Sequence, residues 1–336
     1  MKKMKRNVLV TGAAGKLGNY VSAYLNKQGY NVTCTDVVLP KSDSKIAKLN
    51  LPFVKADLLN IGDVMKAIAM AQPDTIIHLA AITHNVELQP PYDTTPKKGP
   101  ATGGVHYNYM IPEDAAMEIN TMGTFYVMDA ARRMGIKNVI AASSYYCYGL
   151  GMRISGEPFK PDYLPIDENH PCYPEDTYSL GKQLGDEIMK AFSRAYNMNI
   201  VAMRLTGVYY PKVQWCRECY KFNNDYVIPE TEEKGYINGD THQYVDARDI
   251  AYFVGLALEK QLPGFEAFNL ASDTTFNPDS NSFYAKRFPY IADMCTNFEG
   301  HEGFFTTRKA KEMLGYESQY TWRKGKQDEE GDEFVD

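Results

Sequence analysis

A glycine-rich turn near the start of the chain limits its fold more than any other feature. Residues 11–18 read Thr-Gly-Ala-Ala-Gly-Lys-Leu-Gly and separate a short apolar run from a segment, 16–28, whose apolar residues recur at helical spacing. Gly12 allows a tight turn, Gly15 lets the backbone approach a pyrophosphate, and Gly18 lets the helix pack closely on the strand. The pattern therefore predicts a strand, a turn and a helix that bind a dinucleotide, the plain alternative being an ordinary strand-to-helix turn.

An acidic residue follows the second strand-like run. This run covers residues 30–35 and ends at Asp36. A carboxylate at this place accepts hydrogen bonds from the ribose hydroxyls of an adenosine. A ribose 2′-phosphate would meet that carboxylate, and residues 37–40 contain no arginine to compensate. Asp36 therefore favours NAD as the cofactor, unless it serves only as a turn residue at the strand end.

A tyrosine and a lysine in the middle of the chain could move a proton. Tyr178 and Lys182 stand at i and i+4 of a predicted helix, so the phenol and the ammonium share one face. Tyrosine titrates near ~10, so it acts as a base at neutral pH only where positive charge favours the phenolate. Lys182 and an oxidised nicotinamide could supply that charge. Taken alone, such a pair more often marks a solvated helix face.

Two serines directly follow a strand-like run at residues 137–142, Lys-Asn-Val-Ile-Ala-Ala. Ser143 and Ser144 would lie at the carboxyl edge of a parallel sheet, where open α/β sheets bind ligands. With these motifs in order, the chain resembles the extended short-chain dehydrogenase/reductase family, which includes NAD-dependent sugar epimerases, dehydratases and sugar-acid dehydrogenases. The resemblance covers residues 6–324 and implies a catalytic triad of Ser144, Tyr178 and Lys182.

The resemblance also implies how the cofactor, NAD, is held. Matching stretches include Ala-Asp-Leu at 56–58, His-Leu-Ala-Ala at 78–81 and a later asparagine. The implied NAD contacts are Gly12, Ala14, Gly15, Lys16, Leu17, Gly18, Asp36, Asp57, Leu58, Leu79, Ala80, Ala81, Asn120, Tyr178 and Lys182. Plainer interpretations stay open, since His78 could be a hydrogen-bonded core histidine and Asp246 or Asp249 a helix N-cap.

Length and element order predict one nucleotide-binding domain with a cap. At 336 residues and 44% hydrophobic, the chain can bury a full core. Strand-like and helix-like segments alternate through residue 210, which predicts the α/β class: a Rossmann-type doubly wound parallel sheet with a smaller C-terminal substrate-binding cap. The predicted division is a nucleotide domain at 1–210 with 240–262, a cap at 211–239 with 263–326, and a disordered acidic tail at 327–336. Residues 85–112 interrupt this alternation of strand-like and helix-like segments, and we expect them to shape the substrate pocket.

Composition argues against several kinds of partner. The net charge of −6 gives no indication of nucleic-acid binding, and no apolar run approaches a membrane span. The first residues pass into a strand without a signal-peptide core, so we expect a cytoplasmic protein. The six cysteines fit reduced thiols better than a disulfide framework. Cys216 and Cys219 have no further ligands nearby at zinc-binding spacing, so no metal is expected.

The residues beside the triad argue against dehydration. Dehydratases of the family carry an acidic pair directly after the catalytic hydroxyl, where it performs elimination. This chain has Tyr145 and Tyr146 at those positions. Because a phenol cannot perform that step, dehydration is disfavoured.

The expected donors to a nucleotide diphosphate are also missing. Epimerases of the family carry an Arg-x-x-Asn-Val-Tyr-Gly-Pro run, which corresponds here to residues 204–211 with Gly207 in place of the asparagine. Their arginine shortly before the returning Val-Asp segment is absent as well. A diphosphate would therefore bind poorly, although Arg217, Lys221 or Arg287 could substitute from other positions.

The C-terminal third resembles the branch that contains uronate dehydrogenases. Its matching stretches lie at 268–273, 286–289, 307–316 and 320–323. In that branch a hydroxyl residue follows the His-Leu-x-x strand end, which is Thr83 here. The implied contacts to a substrate are Thr83, Ser143, Ser144, Tyr145 and Thr206.

These observations lead to one main hypothesis and two alternatives. The main hypothesis is an NAD-dependent dehydrogenase of a free sugar, sugar acid or related polyol. The first alternative is a nucleotide-sugar epimerase that uses the same triad; the second is a non-catalytic, NAD-responsive binding protein. Because relatives commonly dimerise through the helices corresponding to 113–134 and 178–196, the resemblance also implies a homodimer.

Overall fold

Seven parallel strands form the central sheet of the computed structural model, which describes residues 6–82, 114–151, 153, 155, 157–211, 241, 243–272 and 279–321. The strands are β1 (Asn7–Thr11), β2 (Asn31–Asp36), β3 (Phe53–Lys55), β4 (Thr75–His78), β5 (Asn138–Ser144), β6 (Asn199–Leu205), β7 (Gly207–Tyr209), β8 (Tyr244–Asp246) and β9 (Phe265–Leu270). The order across the sheet is β3-β2-β1-β4-β5-β6-β9, and β7 pairs with β8 outside it. Successive strands are added on one side of β1 up to β3 and on its other side from β4 onward, so the strand order reverses between β1 and β4, as in a Rossmann-type sheet. The predicted fold class is confirmed.

Helices cover both faces of this sheet. They are α1 (Lys16–Lys27), α2 (Lys45–Lys48), α3 (Ile61–Ala71), α4 (Ala115–Met117), α5 (Thr124–Arg133), α6 (Thr177–Tyr196), α7 (Ala247–Lys260), α8 (Ser280–Arg287) and α9 (Arg308–Leu314). One buried cluster joins α1, α7 and α9 to the sheet, and a second joins α3, α5 and α6 to its opposite face. Along β1, Val8 and Val10 enter the first cluster and Leu9 enters the second, because successive strand side chains point to opposite faces.

A third cluster of buried side chains is mainly aromatic and lies beyond the carboxyl end of β5. It joins a single 3-10 turn, Tyr145–Tyr148, to residues 280–305. Tyr148 stacks on Phe305 with ring centroids 5.8 Å apart, and Tyr145 meets the same ring edge-on at 5.3 Å. The C-terminal part of the chain is thus packed directly on the turn that follows Ser144.

One boundary of the predicted domain division is wrong. Residues 263–326 were expected in the cap, yet Phe265–Leu270 form the last strand of the central sheet and pair with β6 along its length. Its sequence, Phe-Glu-Ala-Phe-Asn-Leu, contains a buried asparagine whose side chain accepts from the Tyr148 hydroxyl and donates to the Ile166 carbonyl. Residues 85–112, 212–239 and 327–336 lie outside the described residues, so the rest of the division stays a prediction.

Asp246 and Asp249 both have structural roles at the start of α7. Asp246 is the N-cap, and its carboxylate accepts from the Arg248 backbone N–H at 2.8 Å and from the Arg248 guanidinium. Asp249 accepts from the backbone N–H groups of Gln319 and Tyr320 at 2.8 and 3.1 Å. The N-cap interpretation therefore holds for Asp246, while Asp249 fastens the C-terminal segment to α7.

His78 is a core histidine held by two threonines. Its Nδ1 lies 2.8 Å from the Thr11 hydroxyl, and its Nε2 lies 3.2 Å from the Thr124 hydroxyl. The Thr124 hydroxyl donates onward to the Asn120 carbonyl at 2.7 Å. This pattern assigns the proton to Nε2, so that Nδ1 accepts from Thr11. Burial, and then the nearby Lys182 charge, lowers the pKa of His78 to about 3.

We expect this histidine to make the protein sensitive to acid. The unfolded chain takes up a proton at this residue near pH ~6.5, while the folded protein resists protonation down to about pH 3. The stability it supports is thus present above pH ~6.5 and is lost as the pH falls, by up to ~1.4 kcal/mol per pH unit. Urea unfolding at several pH values between 7 and 4.5 measures this slope.

The matched comparison uses two histidine substitutions. His78→Gln should lower the free energy of unfolding at pH 7 and make its dependence on pH shallower. His301→Gln, at a partly exposed histidine in the C-terminal part, is the control. An unchanged slope in the His78 variant would contradict the assignment of a neutral, buried imidazole.

Candidate active site

One cleft collects most of the predicted site residues. It has a volume of about 760 Å³ and lies where the segments following β1 to β6 meet at the carboxyl edge of the sheet. The predicted residues that line it are Gly12, Gly15, Lys16, Leu17, Gly18, Asp36, Asp57, Leu58, Leu79, Ala80, Ala81, Ser143, Ser144, Tyr145, Tyr178, Lys182 and Thr206. Ligands of open α/β sheets bind at this edge, next to the two strands between which the strand order reverses, here β1 and β4.

The glycine turn is fixed by very close backbone approaches. Gly12 has a φ of +69°, and a Cβ added there would lie 2.5 Å from the Ala80 nitrogen. A Cβ on Gly18 would lie 2.2 Å from the Gly12 carbonyl oxygen. Neither position can hold a side chain without moving the turn. Gly15 is the N-cap of α1, which leaves the first N–H groups of the helix without a capping side chain.

Asp36 organises the loops at one end of the cleft. One carboxylate oxygen accepts from the Ala14 N–H at 3.0 Å, and the other accepts from the Val38 N–H at 3.3 Å. Ala14 therefore holds Asp36 through its backbone N–H, and it is not among the residues that line the cleft. Val37, which the sequence interpretation missed, lines the cleft and is 52% exposed. Its apolar side chain directly after the acidic residue was the available signal.

A pair of aromatic residues, Tyr20 and Tyr210, connects α1 with the segment after β7. Tyr210 lines the cleft, and the Lys16 ammonium lies 5.8 Å from its ring centroid. The ring of Tyr20 on α1 lies 6.0 Å from that of Tyr210, and its hydroxyl donates to the Pro211 carbonyl at 3.4 Å. The segment after β7 is thereby joined to α1. Nothing in the local sequence indicated this contact between distant residues.

Asn120 supports the cleft wall and does not line it. Its side-chain oxygen accepts from the Ile82 N–H at 3.0 Å, and its side-chain nitrogen donates to the Ile82 carbonyl at 2.9 Å. The residue lies in a π-helical turn, Glu118–Gly123, beside α5. Ile82 and Ile119 line the cleft although the sequence interpretation named neither. In this structure the Asn120 side chain holds Ile82, and its contact with NAD stays a prediction.

The three predicted catalytic side chains come together. The Ser144 hydroxyl lies close enough to the Tyr178 phenol to lower its pKa, and the Lys182 ammonium lies 5.9 Å from the Tyr178 ring centroid. Lys182 donates to the Ala142 carbonyl on β5 at 3.0 Å. The Ser144 hydroxyl also accepts from the Tyr146 N–H at 3.2 Å. All three triad residues are less than 10% exposed, so their hydroxyl and ammonium groups are held in fixed positions.

Local sequence explains why α6 presents this pair to the cleft. Asp176 is the N-cap, and its carboxylate accepts from the N–H and the hydroxyl of Ser179 at 2.9 and 2.6 Å. Tyr178 therefore sits in the first turn of the helix. Gly181 lets α6 approach the π-helical turn, because a Cβ there would lie 3.3 Å from the Asn120 Cβ.

Burial dominates the protonation of the pair. It raises the pKa of Tyr178 well above its ordinary value, and the Ser144 hydroxyl acts in the opposite direction. Burial lowers the pKa of Lys182 to about 8, opposed by the charge of Asp186. A phenolate at Tyr178 thus needs more positive charge than the described side chains provide. An oxidised nicotinamide, when bound, supplies such a charge.

The side chains predicted to contact the substrate differ in whether their polar groups are already hydrogen-bonded within the protein. The Ser143 hydroxyl is buried, lines the cleft and has no hydrogen-bond partner among the described residues. The Thr206 hydroxyl donates to the Leu270 carbonyl at 3.1 Å, so this residue mainly fastens the cleft wall to β9. Tyr145 packs in the aromatic cluster. Thr83 lies outside the part of the chain that the structure describes.

Arg204, which opens the run compared with the epimerases, does not reach the cleft. It is buried, lies 3.1 Å from the Asp186 carboxylate and donates to the Tyr148 hydroxyl at 2.9 Å. Gly207 lines the cleft at the position of the family's asparagine. Along the described cleft wall, Lys16 and Lys182 are the only cationic side chains, and Arg287 is not part of it.

The family model for NAD-dependent epimerases and dehydratases matches residues 8–94 and 100–271. The chain belongs to this family. It is 28% identical over 211 residues to the UDP-glucose 4-epimerase of Mycolicibacterium smegmatis, which is 61% of this chain and 56% of that relative's length. The chain thus spans little more than half of the relative.

Solved structures share the fold at low identity. A short-chain dehydrogenase/reductase superfamily protein from Agrobacterium tumefaciens with bound NAD has a TM-score of 0.63 and 21% identity, over 95% of this chain and 94% of that one. A mutated uronate dehydrogenase has a TM-score of 0.60 and 18% identity, over 98% and 88% of the two chains. The predicted family and its cofactor, NAD, are confirmed.

The cleft fits NAD on its own chemistry. The N-terminus of α1 offers backbone N–H groups and positive dipole to a pyrophosphate. Asp36 lines one end, where ribose hydroxyls could donate to it, and Tyr178 lines the other. Separately, none of the described helices has the length and apolar character required to cross a bilayer.

Substitution of Gly18 tests the glycine turn. Gly18→Ala places a methyl group against the Gly12 carbonyl, so the turn must shift, and we expect the Kd for NAD to rise about tenfold or more. Gly185→Ala on α6 is the control, because its added Cβ would make ordinary contacts at 3.7 Å or more. Isothermal titration with NAD measures both. Equal affinities in the two variants would rule out the turn as the pyrophosphate site.

Proposed function

We propose that this protein is an NAD-dependent oxidoreductase that oxidises a hydroxyl of a sugar, sugar acid or related polyol. The observation that carries the proposal is that Ser144, Tyr178 and Lys182 lie together in the same cleft as the glycine turn. A base, a cation and a dinucleotide-binding turn in one cleft are what hydride transfer from an alcohol to NAD requires.

Each member of the triad has a role that follows from its contacts. Tyr178 takes the proton of the substrate hydroxyl once positive charge has stabilised its phenolate. Lys182, held by the Ala142 carbonyl, supplies part of that charge and can bind the nicotinamide ribose. Ser144 donates to the phenol oxygen or to the reacting oxygen and so orients the substrate. The nicotinamide accepts the hydride.

The substrate class is proposed from the cleft wall. A nucleotide diphosphate needs cationic or amide donors, and the described wall offers Gly207 where the family's asparagine would donate. Arg204 is occupied by Asp186 and Tyr148. The unpartnered Ser143 hydroxyl, by contrast, suits a sugar hydroxyl at the reactive end of the cleft. These features support a substrate without a diphosphate.

A nucleotide-sugar epimerase is the second candidate. The similarity to UDP-glucose 4-epimerase favours it, and the same triad serves transient oxidation and re-reduction. The residues at 212–240, which include Arg217 and Lys221, lie outside the described part and could carry a diphosphate site. An epimerase keeps its cofactor through the cycle, whereas a dehydrogenase releases reduced cofactor.

Cofactor stoichiometry separates the two candidates. Purified protein is mixed with excess NAD and a panel of uronic acids, aldoses, polyols and nucleotide sugars, and NADH is followed by absorbance. We expect NADH beyond one equivalent per site with a free sugar, sugar acid or polyol. Epimerisation of a nucleotide sugar without NADH accumulation would favour the second candidate. Cofactor binding with no turnover of any compound would point to a non-catalytic NAD-responsive protein.

The tyrosine can be tested by removal of one oxygen. Tyr178→Phe keeps the ring and its edge-on contact with Tyr146 but lacks the proton acceptor. We expect kcat to fall by about 10²–10⁴-fold with NAD affinity nearly unchanged. Tyr146→Phe is the matched control at the neighbouring phenol and should retain far more activity. Substantial turnover in the Tyr178 variant would remove this residue from the mechanism.

We also propose a homodimer through α5 and α6. These helices pack together, with the rings of Phe125 and Phe192 5.6 Å apart. Phe125 on α5, Leu184 on α6 and Met122 in the π-helical turn before α5 are 37%, 37% and 41% exposed. Neighbouring exposed apolar side chains on two packed helices are typical of a surface that a second copy covers.

Charge placed on that surface should separate the copies. We expect Phe125→Glu to convert a dimer into a monomer, measured by light scattering coupled to gel filtration. Met70→Glu on α3 is the control, since Met70 is 64% exposed and lies on neither α5 nor α6. A dimer that persists in the Phe125 variant and dissociates in the Met70 variant would place the interface elsewhere.

A further inference from the structure

Two cysteines distant in sequence meet beside the catalytic serine. Cys147 lies in the 3-10 turn that Ser144 caps, and Cys172 lies in the loop that leads to α6. Cys172 packs against the aromatic cluster that contains Cys147, and the two side chains are close enough for each thiol to change the pKa of the other. The backbone supports this contact, because the Tyr173 N–H donates to the Tyr148 carbonyl at 3.2 Å, directly after both cysteines.

The two thiols differ in access and in charge. Cys147 is fully buried, whereas Cys172 is partly exposed. The Cys147 thiol lowers the pKa of Cys172, and the charge of Arg204 acts in the same direction against burial. Burial raises the pKa of Cys147. The accessible thiol is therefore the more reactive one, and the buried thiol lies in contact with it.

Neighbouring contacts keep the two segments together. Arg153 donates to the carbonyls of Gly149 and Tyr173 at 3.4 and 3.2 Å, and it forms an ion pair with Glu175. The Ser155 hydroxyl donates to the same carboxylate at 3.0 Å. The thiols thus meet within a hydrogen-bonded frame, so their contact does not depend on a chance approach of two loops.

We propose that Cys147 and Cys172 are a redox modification site, at which an internal disulfide forms and displaces the catalytic turn. The oxidant is a low-molecular-weight disulfide such as oxidised glutathione. The Cys172 thiolate attacks one of its sulfurs, breaks the S–S bond and releases one thiolate. Cys147 then attacks the Cys172 sulfur, forms the protein disulfide and releases the second thiol, which takes up the proton from Cys147. Two protein thiols are oxidised and one small disulfide is reduced to two thiols.

The modification would act on Ser144. A disulfide brings its sulfurs to about 2.05 Å, well inside the separation of two thiols that are not covalently bonded, so one segment must move. Ser144 is the N-cap of the turn that contains Cys147, and it lines the cleft together with Tyr178. A displacement of about 1 Å at a catalytic group can lower the rate by about 10²-fold. The NAD-binding turn lies on β1 and α1 and is not displaced.

Peptide mapping tests bond formation independently of any activity. The protein is treated with oxidised glutathione, alkylated and digested with trypsin, which cleaves after Arg153 and so separates the two cysteines. The background variant C216A/C219A removes a Cys-x-x-Cys pair that could also oxidise. We expect a disulfide-linked peptide pair with Cys147 and Cys172, and a loss of two free thiols. In that background, Cys172→Ala should abolish the linked pair, while Cys34→Ala, at a buried cysteine of β2, should keep it.

Turnover and NAD affinity then test the consequence. Oxidised protein should lose about tenfold or more in kcat, retain its Kd for NAD within about twofold, and recover with dithiothreitol. Cys172→Ala should be insensitive to the oxidant. Absence of the linked peptide under conditions that oxidise other thiols would overturn the proposal. A linked peptide with unchanged kcat would overturn the displacement of Ser144.

Discussion

A hydrogen-bonded chain through a neutral histidine holds the active site together. It runs from Thr11 at the end of β1, through His78 of β4, to Thr124 and the carbonyl of Asn120. The side chain of Asn120 then fixes Ile82, and with it the wall of the cleft. The Thr11 hydroxyl can donate to Nδ1 only while the imidazole is uncharged, because a protonated imidazole has a donor at both nitrogens. The position of the cleft wall therefore depends on a protonation state deep in the sheet.

This chain also explains how the catalytic helix is aligned. Asn120 contacts α6 at Gly181, and Lys182 reaches back to the Ala142 carbonyl on β5. The sheet, the π-helical turn and α6 are thus connected by polar contacts in addition to their apolar packing. Polar contacts have fixed lengths and directions, so they determine orientation more narrowly than packing alone. That precision matters at Tyr178, whose hydroxyl must meet both Ser144 and a substrate.

Local chemistry made part of this architecture predictable. The glycine turn, Asp36 and the pair on α6 each depend on a few adjacent residues, and all of these line the cleft as the sequence predicted. The sequence did not indicate which distant partner a side chain would bond to. Asn120 turns to Ile82, and the hydroxyl of Thr206 turns to Leu270. Periodicity reports which face of an element is buried, but it does not report which carbonyl a buried donor will find. The strand at 265–270 was missed for a related reason, because its pairing partner lies about sixty residues earlier in the chain.

The contact between α1 and the segment after β7 bears on how fast the enzyme can work. Lys16, Tyr20 and Tyr210 connect the two sides of the cleft near the pyrophosphate-binding end. Under the proposed function, reduced cofactor must leave in every catalytic cycle, and these contacts lie beside the glycine turn at which its pyrophosphate would bind. Cation–π and ring contacts contribute about 0.5–1.5 kcal/mol each, so they can break and re-form without a large cost. The strength of this bridge would then set the residence time of the cofactor, and with it the upper limit on turnover.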